Sequence, residues 1–261
     1  MEHPFDDRFY DESPFLTPEK CNLPKHIALK NYIAEHNATT CVMTYCRTLK
    51  KVLDSVSDNV VEVDFLQAGE DKHPIYAIDD ILFVVPYVGS PNACATMEEI
   101  AVFGVKNFLA CGSAGLIDEN FDPAQLLVVT DAIRDEGASY HYKPHGEIAC
   151  TDKGITKAIE NVFNDKKVAY KKGRTWTCDA FYREVPSLIK KRLEQGATSV
   201  EMECSAWCIT AKYLGVKFGQ FLFFSDAVNN MNWAQRGDTQ SRLNIKEKIT
   251  LLAYEIAKQI K

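Results

Sequence analysis

Short apolar runs recur along the chain and alternate with longer segments in which apolar residues follow helical spacing. The apolar runs are residues 40–43, 81–85, 108–111, 126–130 and 218–224. The helical segments are residues 48–56, 93–103, 187–194, 204–214 and 245–260. Runs that are apolar throughout are typical of strands buried on both faces. Their alternation with helices predicts an α/β fold, with a central mixed twisted sheet flanked by helices.

The domain organisation follows from the same pattern. Residues 1–23 carry three prolines and many acidic residues without helical or strand periodicity, so we predict an irregular N-terminal extension. Residues 24–261 then form one α/β domain, a length that a single core can support. Within this domain, the strongly charged span 164–174 is interpreted as a surface loop.

Charge and cysteine usage exclude several kinds of function. The net charge is -6 and the basic residues form no stripe, so we expect no nucleic-acid partner. No segment is typical of a secretory signal or long enough to span a bilayer, so we expect no membrane partner. The cysteines number nine, and Cys94, Cys111 and Cys204 lie in apolar runs. Buried thiols of this kind favour a reducing compartment and predict a cytoplasmic protein, and their spacing indicates no metal site.

Three segments carry side chains suited to chemistry at a sugar. In the first, a buried strand from Phe108 runs into a small-residue turn, where backbone N–H groups and the Ser113 hydroxyl can face an anion or a sugar. The second, Val200-Glu201-Met202-Glu203, places two carboxylates at a strand end or helix start, where acids and a methionine also suit a structural role. In the third, Asp226 closes an apolar run, where a partly desolvated carboxyl group can act as a general acid.

These segments belong to a series of motifs that follow one another in order. The series is Gly104-Val105-Lys106-Asn107, Gly112-Ser113-Ala114-Gly115, Asp131-Ala132-Ile133-Arg134-Asp135-Glu136-Gly137, Asp179-Ala180-Phe181-Tyr182, Val200-Glu201-Met202-Glu203 and Ser225-Asp226. In this order the motifs resemble those of the nucleoside phosphorylase family, which includes purine nucleoside phosphorylase, uridine phosphorylase and the related thioadenosine nucleosidases. The resemblance implies a phosphorylase/hydrolase-like α/β fold and cleavage of the bond between ribose and base.

The resemblance also implies roles for individual residues. Glu203 and Met202, and more weakly Glu201, would hold the ribose, whose hydroxyl contacts can strengthen in an oxocarbenium-like transition state. Asp226 would protonate N7 of a purine. Beside it, Ser225 and Phe181 would contact the base, Phe181 by stacking. His26 matches the spacing of a family histidine that reaches the ribose of a neighbouring subunit, which implies a homodimer or a hexamer built as a trimer of dimers.

The phosphate side of the resemblance is incomplete. Arg47 follows the first strand where the family has its first phosphate arginine, although Met43-Thr44-Tyr45 replaces the Gly-Asp-Pro sequence that the resemblance implies there. Ser113 and Gly89 stand in turns expected to face phosphate. The second arginine position holds Ala110, and the arginine from a neighbouring subunit is missing around residues 66–67. Each charge-assisted contact is worth about 1.5–3 kcal/mol. Phosphate binding would therefore be weak unless another cation, such as Lys72, substitutes.

We therefore predict a nucleoside phosphorylase that prefers purines and uses inorganic phosphate to release a free base and ribose 1-phosphate. No metal or organic cofactor is implied. Asp226 favours a purine, because residues 149–157 offer no glutamine and arginine set to read a pyrimidine edge. The alternatives are a nucleoside hydrolase that uses water, a uridine phosphorylase, or a catalytically weakened nucleoside-binding protein.

Overall fold

The computed structural model describes residues 10–229 and 232–260. The strands are β1 (Thr40–Thr44), β2 (Val61–Ala68), β3 (Asp71–Ile78), β4 (Ile81–Val84), β5 (Asn107–Leu116), β6 (Leu126–Asp135), β7 (Ala149–Cys150), β8 (Tyr170–Cys178), β9 (Ala197–Glu201), β10 (Lys217–Asn229) and β11 (Asn232–Gln235). The helices are α1 (Pro18–Cys21), α2 (Ile27–His36), α3 (Leu49–Asp54), α4 (Ser90–Ala101), α5 (Lys153–Asp165), α6 (Pro186–Glu194), α7 (Cys204–Leu214) and α8 (Thr239–Ala257). Two short 3-10 turns lie at Ala138–His141 and Phe181–Arg183.

All of the described strands join one mixed sheet, which confirms the predicted α/β fold. The strands β4, β1, β5 and β10 are parallel neighbours, and β2, β3 and β11 add antiparallel edges. A second path runs from β5 through β9, β8 and β6 back to β10, so these five strands close into a ring. Because parallel strands end at the same edge of a sheet, the segments that follow β1, β4, β5 and β10 converge there.

Helices cover both faces of the sheet. Strand β1 shows the division, because Met43 belongs to one core cluster while its neighbour Val42 belongs to the other. Helices α2, α4 and α7 contribute side chains to the first cluster, which includes Trp207. Helices α3, α5 and α8 contribute side chains to the second cluster, which includes Phe163. The alternation follows from the period of two along a strand buried on both faces. Among the described helices, none is long and apolar enough to cross a membrane.

Two helices near the carboxyl edge of the sheet have well-defined ends. Helix α7 ends at Gly215, whose φ of 68° is a left-handed conformation that glycine adopts without strain. Helix α8 begins after Asp238, whose side chain accepts a hydrogen bond from the Ser241 N–H. On the buried side of α8, the Thr250 hydroxyl lies 2.8 Å from the hydroxyl of Thr44 at the end of β1. This contact fixes the middle of α8 against the end of β1.

The predicted strands and helices are all present, with ends shifted by a few residues. Strand β5 continues to Leu116, so the segment from Gly112 to Gly115 is strand rather than the expected turn. The prediction of a loop over residues 164–174 is wrong for residues 164–165, which end α5, and for residues 170–174, which belong to β8. That strand pairs with β6 and β9, and its first lysines lie on the exposed side, which is why the sequence is polar there.

The segment predicted as an extension packs on the domain where it is described. The Tyr10 hydroxyl donates a hydrogen bond to the Tyr140 carbonyl oxygen, and Leu23 packs against the first core cluster. Between them, the Thr17 side chain caps the single-turn helix α1. Residues 1–9 of this predicted extension lie outside the described residues.

Candidate active site

A cavity of about 320 Å³ opens at the carboxyl edge of the parallel strands. It is lined by Tyr45, Arg47, Ser113, Ser225, Thr239, Arg242, Leu243 and Lys246. Three of these residues, Arg47, Ser113 and Ser225, were selected from the sequence for phosphate or base binding. The parallel strand order explains their proximity, because Arg47 follows β1 while Ser113 and Ser225 lie in the C-terminal halves of the neighbouring strands β5 and β10.

The Glu203 carboxylate is anchored beside this edge. Glu203 stands between β9 and α7 and is 7% exposed, and burial is the main reason that its pKa is raised. The Gly89 N–H donates a 2.7 Å hydrogen bond to Glu203 Oε1. Gly89 has a φ of 96° and a ψ of 153°, which almost only glycine adopts. In the structure the Gly89 N–H therefore binds Glu203, the candidate for ribose binding. The sequence analysis had instead expected Gly89 to face phosphate.

The Glu201 side chain is directed to partners within the protein. Its Oε1 accepts a 2.6 Å hydrogen bond from the Thr177 hydroxyl, and its Oε2 accepts from the N–H groups of Glu203 and Cys204. Burial, followed by the nearby Glu203 charge, raises the pKa of Glu201 to about 8. This geometry holds the start of α7 in place and supports a structural role, so ribose contact by Glu201 stays a prediction.

Met202 connects the run to the start of α4. Its backbone carbonyl accepts a 2.7 Å hydrogen bond from the Ser90 hydroxyl, the residue next to Gly89. The Met202 side chain is half-buried. The start of α4 and the Val200–Glu203 run are thus joined by two hydrogen bonds.

Tyr45 is a site residue that the sequence motifs did not identify. A Cβ on Gly112 would lie 3.1 Å from Tyr45 Cδ2, so the glycine makes room for the ring. Burial raises the Tyr45 pKa well above its usual value, and the Glu203 and Glu201 carboxylates raise it further. The buried hydroxyl has no well-formed hydrogen bond to any described residue. One signal was available, because Met43-Thr44-Tyr45 stands where the resemblance led us to expect a Gly-Asp-Pro sequence.

Asp226 lies where β10 is irregular. Phe224 pairs with Ala114 and Asp226 pairs with Gly115, so Ser225 is the extra residue of a bulge. Such bulges redirect side chains and are frequent next to active sites. The Ser225 hydroxyl donates to Asp226 Oδ1 at 2.8 Å, and a Cβ on Gly115 would lie 3.7 Å from Asp226 Oδ2. The same Cβ would lie 3.1 Å from Val200 Cγ1 and 3.3 Å from Val228 Cγ2, so the close packing beside Asp226 favours glycine at this position.

Two further groups near Asp226 were missed from the sequence. The Trp233 indole N–H donates to Asp226 Oδ2 at 3.0 Å. Burial, followed by the charge of Asp226, raises the pKa of Glu184 to about 7. A tryptophan seven residues downstream and a glutamate in a polar loop carry no motif that would have identified them.

The other residues selected from the sequence are not among those that line the cavity, namely His26, Lys72, Gly89, Phe181, Glu201, Met202, Glu203 and Asp226. Phe181 begins a 3-10 turn, is 51% exposed and packs against Tyr182. His26 precedes α2, and its Nδ1 lies 3.0 Å from Asp64 Oδ1. The Lys72 ammonium lies 4.2 Å from the ring centre of Phe65. The suggestion that Lys72 replaces a missing phosphate arginine in the cavity therefore finds no support within one chain.

Candidate metal ligands are scattered. In residues 10–229 and 232–260, no three His, Cys, Asp or Glu side chains are grouped as a metal ion would require. All nine cysteines are free thiols, and seven of them are buried. Burial raises the pKa of thiols such as Cys41 and Cys111, which favours the protonated, unreactive form.

Comparison with known proteins agrees with this geometry. Residues 69–256 match the family model described as the phosphorylase superfamily. A uridine phosphorylase of Haemophilus influenzae is 28% identical over 146 residues, which cover 51% of this chain and 58% of that protein. A guanosine phosphorylase of Halorubrum lacusprofundi is 26% identical over 132 residues, with 51% and 55% covered. A DeoD-type purine nucleoside phosphorylase of Shewanella oneidensis is 30% identical over 159 residues, with 60% and 67% covered.

The matched segments thus span little more than half the length of the first two relatives. The family match is broader, because it covers most of the chain and includes the predicted site residues from Gly89 to Asp226. The chain therefore belongs to the phosphorylase superfamily.

Proposed function

We propose that the protein is a nucleoside phosphorylase with a preference for purine nucleosides. It would use inorganic phosphate to cleave the N-glycosidic bond, and it would release a free base and ribose 1-phosphate. The observation that carries the proposal is the shared edge at which Arg47, Ser113 and Ser225 line one cavity while Tyr45 joins that cavity to Glu203. Tyr45 thereby neighbours both the cavity of the phosphate candidates and the ribose candidate Glu203, as a reaction between phosphate and ribose requires.

The chemistry assigns a task to each group. As the glycosidic bond breaks, positive charge develops on the ribose, and a carboxylate that binds its hydroxyls stabilises that state. Glu203 is suited to this task, because Gly89 holds its carboxylate in place. Arg47 and Ser113 would bind the attacking phosphate with charge-assisted and neutral hydrogen bonds. Asp226 would pass a proton to the base, whose departure is faster when it leaves neutral.

The purine preference rests on Asp226. Both of its oxygens accept hydrogen bonds, from Ser225 and from Trp233, so a base nitrogen would have to replace one of these donors. Phe181 would stack on the base, and its exposed ring is available for a ligand. The relatives' names include enzymes of uridine, guanosine and purine nucleosides, and the choice among bases is therefore part of the test.

The test is a product assay with and without phosphate. Inosine, guanosine, adenosine and uridine are each incubated with the protein, and free base and ribose 1-phosphate are quantified. We expect purine release that depends on phosphate, with one ribose 1-phosphate for each base. Base release at the same rate without phosphate would instead establish a hydrolase. Faster cleavage of uridine than of any purine nucleoside would overturn the preference, and binding without turnover would indicate a weakened nucleoside-binding protein.

A variant pair tests the acid. Asp226→Asn should slow inosine cleavage by about 100-fold or more, the usual contribution of a general acid, while nucleoside binding changes little. Asp80→Asn is the matched control, because Asp80 is exposed and precedes β4, at the opposite edge of the sheet. Equal rates for the two variants would remove Asp226 from the mechanism.

We also propose that the protein acts as a homodimer or a larger homo-oligomer, with His26 reaching the ribose site of a neighbouring copy. His26 lies outside its own chain's cavity, which is compatible with a role in another copy. Light scattering gives the assembly mass, and His26→Ala should raise the KM for nucleoside without changing that mass. A reducing compartment such as the cytoplasm is the setting we propose, in keeping with the free cysteine thiols.

A further inference from the structure

One face of α8 forms a wall of the cavity. Thr239, Arg242, Leu243 and Lys246 all line it, and the last three are spaced three, four and seven residues from the first. Residues with this spacing lie on one side of a helix. The opposite wall comes from Arg47 and from the hydroxyl residues of the sheet. The cavity is therefore a cleft between the sheet edge and the first two turns of α8.

The charge of this cleft is positive. Its lining contains three cationic side chains, Arg47, Arg242 and Lys246, and none of the lining residues is acidic. The Arg242 guanidinium donates to the Gly237 carbonyl oxygen at 2.9 Å and to the Thr239 hydroxyl at 3.5 Å, both uncharged acceptors. Within the described part of the chain, none of the three cations has a carboxylate within ion-pair distance.

Acidic groups near α8 are already engaged. Asp238 is close enough to sense the charge of Arg242, but its carboxylate accepts a 2.7 Å hydrogen bond from the Ser241 N–H. Glu247 follows Lys246 directly, yet it accepts from the Thr48 hydroxyl at 3.0 Å and lies 3.6 Å from the Lys51 ammonium. Neither of these two carboxylates lies within ion-pair distance of Arg47, Arg242 or Lys246.

Lys246 lies in an environment that disfavours its positive charge. Its side chain is half-buried, and burial is the main reason that its pKa is lowered, with the charges of Arg47 and Arg242 adding to the effect. Like charges held together in a partly desolvated cleft are unfavourable unless an anion binds between them. Hydroxyl groups complete the lining, among them those of Ser113 and Thr239.

We infer that α8 supplies Arg242 and Lys246 as ligands for the phosphate co-substrate, opposite Arg47, an inference that rests on the proposed function. Phosphate carries two negative charges near neutrality and accepts several hydrogen bonds, which matches three cations and neighbouring hydroxyl groups. Two cations from one helix face thereby compensate for positions such as Ala110, where the core leaves no room for a charge.

Phosphate binding to the full-length protein tests this inference separately from turnover. Isothermal titration with sodium phosphate is compared with sodium chloride at matched ionic strength, for the wild type, Lys246→Met, Arg242→Met and Lys248→Met. Lys248 is the matched control, because it is an exposed lysine on the same helix. We expect the Met variants at 246 and 242 each to weaken phosphate binding about 10- to 100-fold, the range for one charge-assisted contact. Lys248→Met should bind like the wild type, and Lys246→Arg should retain most of the affinity.

Thermal unfolding distinguishes a lost ligand from a damaged fold. Without phosphate, Lys246→Met should unfold at the same temperature as the wild type or higher, since one of three mutually repelling charges is removed. Added phosphate should raise the unfolding temperature of the wild type and of Lys248→Met, and much less that of Lys246→Met. Wild-type phosphate affinity in both cleft variants would overturn the inference. Phosphate binding that requires Lys246 without any nucleoside cleavage would overturn the proposed function alone, and a wild type that does not bind phosphate would overturn both.

Discussion

Removal of the Glu201 side chain should destabilise the protein far more than removal of Glu203. Glu201 accepts hydrogen bonds from the Thr177 hydroxyl and from the N–H groups of Glu203 and Cys204, at 2.6 to 2.8 Å. Glu201→Ala leaves these donors buried without partners, and each unsatisfied donor costs about 1–3 kcal/mol. For the two backbone groups alone the expected loss of unfolding free energy is about 2–6 kcal/mol.

The pH dependence of this loss has a definite sign. The folded-state pKa of Glu201 is raised from 4.5 to about 8, so the folded protein keeps a proton that the unfolded chain releases. The stability that Glu201 contributes is therefore fully present below pH 4.5 and is lost as the pH rises through 8. The difference in unfolding free energy between the wild type and Glu201→Ala should consequently be larger at about pH 5.5 than at about pH 8.5.

Denaturant unfolding at the two pH values provides the measurement. Glu201→Gln is the conservative control, because it keeps an acceptor oxygen for the two N–H groups and does not titrate. Glu203→Ala removes one hydrogen bond, from Gly89, so it should cost about 0.5–1.5 kcal/mol while raising the KM for nucleoside. Equal stability losses for the two alanine variants, or no pH dependence for Glu201→Ala, would refute the assignment of Glu201 to structure and Glu203 to the ligand.

Three further predictions concern contacts around the site and in the core. Gly89→Ala should raise the KM for nucleoside and cost about 1–3 kcal/mol of stability, because a φ of 96° strains any other residue. Steady-state kinetics measures the KM and denaturant unfolding measures the stability. Unchanged values of both would contradict the geometry. Gly219→Ala should destabilise the protein by about 1–3 kcal/mol, since the new Cβ would lie 2.4 Å from Ile155 Cγ2. The double variant with Ile155→Ala should lose less than the sum of the single losses in chemical denaturation, whereas additive losses would refute the clash. Asp226→Asn should lower the pKa of Glu184 from about 7 without restoring its ordinary value, because burial is the larger cause of the shift and remains in the variant. Carbon-detected NMR titration measures the pKa of the Glu184 carboxyl group. An unchanged pKa would show that the two groups do not interact.

Local patterns in the sequence were sufficient for the architecture. A strand such as β1, with all five of its residues buried, has no polar face, and this property is visible in the sequence as an apolar run. The Val200–Glu203 segment could also be recognised from the sequence, because two carboxylates and a methionine at the end of a strand are an uncommon combination. Strand β8 was missed because its first residues are charged and resemble a loop.

The partners of these residues were decided by the tertiary structure. Gly89 and Glu203 are 114 positions apart, and Thr44 and Thr250 are 206 apart, yet each pair is in hydrogen-bond contact. Nothing in a local window encodes such a pairing, since it depends on which helix packs on which strand end. The sequence by itself therefore determined the α/β class and the order of the family motifs. Only the fold decided that Glu201 binds backbone N–H groups while Glu203 binds the Gly89 N–H, and that α8 brings Lys246 to the cavity, because packing over long sequence separations sets which charges lie near each other.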